Sequence, residues 1–272
     1  MIYSQGGSNM NIYVMVDAEG LCGVHLASQV LAEGALYQEF RQLMTDEINA
    51  CVEGLKAGGA DRILVRDAHA AGNNALWTKL SNLADGYIMG ASPHERMPGL
   101  DVCDALVLLG YHAMAGTPAA VLEHTMSSRH WQNFWLNGRR CGEVAIDAAI
   151  AGERGKPVIL VSGDDKVCAE AAAFLPGVIT VEVKQGLAVE GAIHLPRDKA
   201  YDLIRTQCAK AVSQARQGRF QPYEVGTPVT ARLETVERGQ VPDRLKRPDI
   251  RVLDGRTYEV TAESVEAALY RL

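Results

Sequence analysis

Short apolar runs alternate with longer amphipathic segments along the first two thirds of this 272-residue chain. The first run covers residues 12–16, and the following segment, 35–57, places its apolar side chains at helical spacing. This alternation is typical of a mostly parallel sheet that is covered by helices on both faces. We therefore predict an α/β fold with three layers, α/β/α. The other strand-like runs are residues 62–66, 105–109, 158–161 and 178–183, and a further helix is predicted over 144–151.

The pattern changes after about residue 190, where the alternation of buried strands and helices gives way to half-exposed elements. We predict a catalytic α/β domain over 10–190, a smaller C-terminal α+β portion for packing or assembly over 191–272, and a flexible extension over 1–9. The elements predicted in the C-terminal portion are a helix over 197–217, strands over 227–234 and 256–260, and a closing helix over 262–272.

Composition narrows the classes of function. The net charge of -6 offers no basic face for nucleic acid, and no segment reaches the roughly 20 apolar residues that cross a bilayer. Residues 1–9 lack the features of a secretory signal. Six cysteines without CxxC spacing indicate reduced thiols, and Cys22 is interpreted as a packing residue. We expect a cytoplasmic protein without a nucleic-acid or membrane partner.

Four potential metal ligands follow the ends of three predicted strands. Asp17 and Glu19 come directly after the first strand, His69 after the second and His112 after the third. Because parallel strands place their carboxyl ends at one edge of the sheet, these side chains are expected to lie together. Two neighbouring carboxylates repel each other unless they share a proton or a cation. The sequence therefore predicts a metal site at this edge.

Glu143 begins a predicted helix and is a fifth candidate ligand. Each candidate also has a simpler interpretation when it is taken alone. An acid at a helix start suits the helix dipole, His69 is typical of a hydrogen-bonded loop residue, and Asp17 with Glu19 could cap the next segment. The convergence of all five on one edge favours the metal site.

The types of ligand indicate which metal would bind. Two imidazoles and three carboxylates suit zinc, manganese or iron better than magnesium, which avoids imidazole. Five donors exceed what one catalytic zinc takes, and they suit two metals that share a carboxylate, for which Asp17 is the natural candidate. Such a pair holds a hydroxide between the metals and polarises a substrate carbonyl.

Other polar residues near these strand ends have two interpretations each. His124 lies in the loop after His112, where it would shuttle protons or stabilise an oxyanion, or would be a surface histidine. Asn73 and Asn74 would orient His69 or form a turn. Asp164 is better explained as a helix N-cap than as a support of the site. The histidines interpreted as structural are His25, His94, His130 and His194.

Motifs for phosphate-binding loops and for the GxSxG nucleophile elbow do not occur in the sequence. The run Val16-Asp17-Ala18-Glu19-Gly20, by contrast, resembles the VDMEG signature of the DppA-type D-aminopeptidases, peptidase family M55. The similarity continues in order from about residue 11 to about residue 185. Its other motifs are Asp67-Ala68-His69 with Asn73-Asn74, Gly110-Tyr111-His112-Ala113 with Thr117-Pro118, and Gly142-Glu143.

The resemblance implies an aminopeptidase that uses two zinc ions per subunit to release N-terminal D-amino acids from short peptides. It also implies a homodecamer whose active sites face an inner channel, and it makes His124 the catalytic residue. The zinc ligands that it implies are Asp17, Glu19, His69, His112 and Glu143.

The chain departs from the family pattern in the loop before His124. Position 114 is Met where an arginine occurs in the best-known member, and Glu123 replaces a serine. These changes concern substrate preference more than metal binding. Two alternatives remain open: a dinuclear amidohydrolase that acts on another small amide, and a metal-binding or peptide-binding protein without activity.

Overall fold

The computed structural model describes residues 9–243 and 245–272. The extension predicted over residues 1–9 lies outside the described residues, apart from Asn9. The helices are α1 (Ala27–Val30), α2 (Tyr37–Ala57), α3 (Glu143–Glu153), α4 (Asp165–Phe174), α5 (Arg197–Ala215) and α6 (Val265–Tyr270). The strands are β1 (Asn11–Val16), β2 (Arg62–Asp67), β3 (Gly86–Ile88), β4 (Ala105–Tyr111), β5 (Trp131–Leu136), β6 (Arg139–Arg140), β7 (Val158–Asp164), β8 (Ile179–Ala188), β9 (Gly191–His194), β10 (Val229–Thr235), β11 (Ile250–Val252) and β12 (Thr257–Ala262).

A seven-stranded sheet forms the centre of the molecule, in the order β3-β2-β1-β4-β7-β8-β9. All neighbouring pairs are parallel except β8 and β9, which are antiparallel. The register places Val16 of β1 beside both Asp67 of β2 and Leu109 of β4. The residues that follow these three strands therefore emerge at one edge of the sheet, as predicted. The mostly parallel α/β fold is confirmed.

The two faces of this sheet bury separate cores. On one face, Ile12, Val14 and Val16 of β1 belong to the core that α2 and α5 cover. On the other face, Tyr13 and Met15 belong to the core that includes α3 and α4. β1 can serve both cores because successive side chains of a strand point to opposite faces, and a strand buried on both faces reads as a continuous apolar run.

A second, antiparallel sheet packs against the α3 side in the order β11-β12-β10-β5-β6. Its strand β10 has the alternating burial that its sequence pattern predicts. Strands β5 and β6 come from the predicted catalytic portion, whereas β10 to β12 come from the C-terminal portion. The division at residue 190 stays a prediction, and the second sheet draws strands from both of its sides.

Most predicted boundaries differ from the observed ones by no more than three residues, and the largest difference is the end of β8, predicted at residue 183 and observed at Ala188. The closing helix also differs. It was predicted from residue 262, but strand β12 continues to Ala262 and α6 begins at Val265. Ser264 sets this start because its side chain accepts a hydrogen bond from the Ala267 N–H. Over the described stretches of chain, no helix is both long and apolar enough to span a membrane.

Candidate metal centre and active site

The loop that carries Asp17 and Glu19 is pressed against the end of β4. The Asp17 N–H donates to the Leu109 carbonyl at 2.9 Å, and the Gly20 N–H donates to the Gly110 carbonyl at 2.8 Å. A Cβ atom on Gly20 would lie only 1.9 Å from the carbonyl oxygen of Tyr111. Only glycine fits at this crossing, so the sequence Glu-Gly aims the two carboxylates along the sheet edge.

Lys184 of β8 also fixes the loop that carries Asp17 and Glu19. Its buried ammonium donates to the carbonyls of Glu19, Leu21 and Val24, at 2.5, 3.0 and 2.6 Å. Burial lowers the pKa of Lys184 to about 8. Cys22 is buried in this loop, and burial raises the pKa of its thiol to about 12, which suits a packing residue better than a nucleophile.

His69 lies in a turn that Asp67 and Asn74 hold together. The Asp67 carboxylate accepts bonds from the Asn74 and Ala75 N–H groups, and the Asn74 side chain donates to both Asp67 and the His69 carbonyl. Of its two predicted roles, Asn74 therefore has that of a turn residue, and it does not contact the imidazole of His69. The imidazole is fixed by Val30, to whose carbonyl Nε2 donates at 3.0 Å.

That bond leaves Nδ1 of His69 as the ring nitrogen facing the site. It lies 3.1 Å from Oδ1 of Asp17 and 3.4 Å from Oε2 of Glu19. In His112 the two ring nitrogens have the opposite roles: Nδ1 donates to the Ala113 carbonyl at 3.1 Å, and Nε2 lies 3.4 Å from Oδ2 of Asp17. The two oxygens of Asp17 therefore face one imidazole each.

His124 joins the cluster from the loop after β4. Its ring stacks on that of His112 with the centroids 4.0 Å apart, and its Nδ1 donates to the Leu122 carbonyl at 2.9 Å. Asp164 holds this loop, since Oδ2 accepts from the Val121 N–H, and Oδ1 caps α4. The N-cap interpretation of Asp164 is correct, and the same carboxylate also supports the loop of His124.

Glu143 is the first residue of α3 and points into the cluster. Its Oε1 accepts from the Met126 N–H at 2.8 Å and lies 3.3 Å from Nε2 of His112 and 3.8 Å from Nε2 of His124. Glu143 therefore combines both of its interpretations, as an acid at a helix start and as a member of the site.

Arg96 and Asp147 were not identified from the sequence. Arg96 pairs with the fully buried Asp147 through Nε and Nη2, and its Nη2 lies 3.5 Å from Oε2 of Glu143. The hydroxyl of Tyr111 donates to Asp147 at 2.6 Å. One signal was available: Asp147 lies one turn after Glu143 in an otherwise apolar helix, where a buried acid requires a partner.

Interactions between the histidines and the carboxylates dominate the pKa values of the cluster. Burial by itself lowers the pKa of His69, but the charge of Glu19 and the hydrogen bond with Asp17 outweigh it and raise this pKa well above its usual value. The pKa of His112 is raised against burial in the same way by Glu143. Burial favours a protonated Glu143, yet the close approach and the charge of His112 lower its pKa to about 2.

The donor set fits divalent metal. A carbonyl oxygen can only accept, so the ring nitrogens of His69 and His112 that face carbonyls carry protons. The other nitrogen of each ring faces carboxylate oxygens. It needs a second proton or a metal ion there. Oε2 of Glu19 and Nε2 of His112 are buried without a hydrogen-bond partner. Two sets of three residues each bring one donor atom per residue within 4.8 Å of the others in the set. The first set is Asp17, Glu19 and His112, and the second is His112, His124 and Glu143. The structure thus brings the five predicted ligands and His124 together, while His25, His94, His130 and His194 are not among them.

Fold and site together define a metal-dependent hydrolase with a mostly parallel α/β sheet. The family described as Peptidase M55, D-aminopeptidase, matches residues 10–272. A D-aminopeptidase of Bacillus subtilis strain 168 is 34% identical over 206 residues, which are 75% of this chain and 74% of the relative. The solved structure of the Zn-dependent D-aminopeptidase DppA from Bacillus subtilis, described as a self-compartmentalizing protease, matches with a TM-score of 0.89 and 30% identity over 96% of this chain and 94% of that chain. The chain therefore belongs to the Peptidase M55 family, and the predicted class, a metal-dependent aminopeptidase, is confirmed.

Proposed function

We propose that this chain uses the cluster at the sheet edge to hydrolyse the peptide bond that follows an N-terminal D-amino acid, with zinc as its metal. The observation that carries this proposal is the convergence of ligand atoms: Nδ1 of His69 and Nε2 of His112 face the two oxygens of Asp17 at 3.1 and 3.4 Å. Such pairs require either a second proton on each ring or a cation between the rings and the carboxylates, and two imidazoles with three carboxylates are a donor set typical of zinc.

Two zinc ions per subunit are proposed, with Asp17 shared between them. Asp17 suits this role because each of its oxygens faces a different histidine. Three carboxylates balance three of the four positive charges of two zinc ions, which leaves little net charge in a buried site. The proposed ligands are Asp17, Glu19, His69, His112 and Glu143.

Bound zinc acts as a Lewis acid that polarises a carbonyl and lowers the pKa of water to about 7. The other tasks fall to the chain. The Leu122 carbonyl accepts a hydrogen bond from Nδ1–H of His124, so Nε2 is the atom that accepts a proton from the attacking water and returns it to the leaving amine. A carboxylate of the cluster binds the free amino group of the substrate.

A homo-oligomer is proposed as the working form, because the related DppA is described as self-compartmentalizing. The finer expectations are a homodecamer with its sites facing an inner space, short peptides as substrates, and the cytoplasm as the compartment. Six free, buried cysteines suit a reducing compartment. Light scattering coupled to size exclusion measures the number of subunits directly.

The test combines metal removal with one substitution. Chelation is expected to abolish cleavage of D-Ala-D-Ala, and zinc to restore it. The variant His124→Ala is expected to keep its zinc, measured by atomic emission, while kcat falls by about a hundredfold to ten-thousandfold, as for a lost acid–base group. Full activity after chelation would refute the proposal. A panel with L-peptides and non-peptide amides separates it from an amidohydrolase, and zinc binding without turnover of any member would indicate a binding protein.

A further inference from the structure

Arg96 is the fixed cation of the site. Among the residues that the structure describes, it is the only lysine or arginine whose side chain lies within 4.0 Å of a carboxylate of the proposed ligand set, with Nη2 3.5 Å from Oε2 of Glu143. It comes from the loop between β3 and β4, which contributes no proposed ligand. The reaction proposed above gives this residue no task.

The guanidinium of Arg96 is held rigidly in place. Nε and Nη2 both bond to Asp147, which is fully buried and also accepts the Tyr111 hydroxyl. The backbone N–H of Arg96 donates to Glu266 at 2.6 Å. Since Asp147 holds two nitrogens of the fork and Glu266 fixes the backbone of Arg96, little side-chain entropy remains to be lost when a ligand binds.

One end of the fork remains available. The described residues supply no hydrogen-bond partner to Nη1, and 16% of the Arg96 side chain stays accessible. An arginine N–H beside a hydrolytic centre is suited to an anionic group, and carboxylate is the anion that its geometry matches best. The available end therefore indicates a carboxylate ligand at the edge of the site.

We propose that Arg96 binds the C-terminal carboxylate of dipeptide substrates and so favours dipeptides over longer or amidated peptides. This inference rests on the proposed aminopeptidase function. In a dipeptide, only the amide nitrogen and one Cα separate the scissile carbonyl from the carboxylate, so their carbons lie within about 4 Å of each other. The carboxylate must consequently sit beside the reaction centre, within reach of a cation that lies next to Glu143.

A second role for Arg96 predicts a different result. If it only neutralises Glu143 and Asp147, its substitution disturbs the ligand set and slows every substrate alike. Binding of the substrate carboxylate predicts a selective loss instead. D-Ala-D-Ala and its C-terminal amide separate the two roles, because they differ only in the group that Arg96 is proposed to bind.

The experiment measures kcat and KM for both substrates, with zinc content determined for each preparation. Arg96→Lys keeps a positive charge opposite Asp147 but removes the fork. We expect the ratio of kcat/KM for D-Ala-D-Ala to that for the amide to fall by about tenfold to a hundredfold, mainly through KM. Arg154→Gln is the matched control, because Arg154 also pairs with Glu266 but touches no proposed ligand, and it should leave the ratio intact.

Each outcome bears on one of the two claims. If Arg96→Lys leaves the ratio of the two kcat/KM values unchanged, whether or not both values fall, the proposed role of Arg96 is overturned. Failure of the zinc-loaded wild type to cleave either substrate would instead refute the proposed function. Should Arg96→Lys not fold, the wild type alone decides: the proposal requires at least about tenfold preference for D-Ala-D-Ala over its amide, and equal kcat/KM values would end it.

Discussion

The three histidines of the site share one arrangement at the residue scale. His69, His112 and His124 each donate one ring N–H to a backbone carbonyl, of Val30, Ala113 and Leu122 respectively. Each bond selects the tautomer and turns the other ring nitrogen toward the carboxylates. Because backbone carbonyls orient the rings, the position of each metal-facing nitrogen depends on the conformation of the loop that supplies the carbonyl.

A pH dependence follows for the metal-free protein. The pKa values of His69 and His112 are raised in the folded state, so their pairing stabilises the fold fully below their usual value of 6.5 and is lost as the pH rises through the raised values. The pKa of Glu143 is lowered to about 2, so its contribution is present above 4.5 and is lost as the pH falls.

We therefore expect the free energy of unfolding of chelated protein to be greatest between about pH 4.5 and 6.5 and to decline toward alkaline pH. Zinc-loaded protein should lack the alkaline decline, since the metal replaces the imidazole protons. Urea titrations across pH, with and without zinc, measure both profiles. A chelated protein as stable at pH 9 as at pH 6 would contradict this account of the charges.

At the scale of elements, the predictable part of the fold is the part with a simple pattern. Strands β1, β2 and β4 are buried runs, and their ends carry the ligands because parallel strands finish at one edge. The short edge strands β3 and β9 have only three and four residues, too few for a periodic signal. Arg96 comes from an aperiodic loop and meets Asp147 51 positions away, a contact that no local pattern encodes.

The loop after β1 provides a test at this scale. In Gly20→Ala the new methyl group would lie 1.9 Å from the Tyr111 carbonyl oxygen, so the loop must move away from β4 and take Asp17 and Glu19 with it. We expect the free energy of unfolding to fall by about 3 kcal/mol or more, together with a loss of zinc affinity. Chemical denaturation and competition with a chelator measure the two effects.

Gly255→Ala is the matched control for this variant, because a Cβ there has no atom within 4 Å. It is expected to change stability by no more than about 0.5 kcal/mol. A Gly20→Ala protein that matches this control in stability and zinc affinity would show that the close approach to β4 does not position the ligands.

At the scale of the whole molecule, the chain passes twice between its two sheets. It leaves the first sheet after β4 to form β5 and β6, returns through α3 to β7, and leaves again after α5 to form β10. β5 pairs with β10, while α5 packs on α2 and buries Tyr201, Ile204 and Cys208 in the first core. The first of these passages carries part of the site, since His124 precedes β5 and Glu143 follows β6. Residues from both sides of position 190 thus hold the site together.

A chain that ends at residue 190 would lose β10 as the partner of β5 and α5 as the cover of α2. We expect this fragment to unfold without a cooperative transition and to bind zinc weakly, because exposed apolar faces and an unpaired strand replace buried contacts. Calorimetry and near-ultraviolet circular dichroism provide the measurement. A chain shortened at its other end, to residues 9–272, keeps every contact described here and should unfold in one sharp transition. If the 190-residue fragment did the same, the two portions would be independent, and the second sheet would be dispensable to the metal centre.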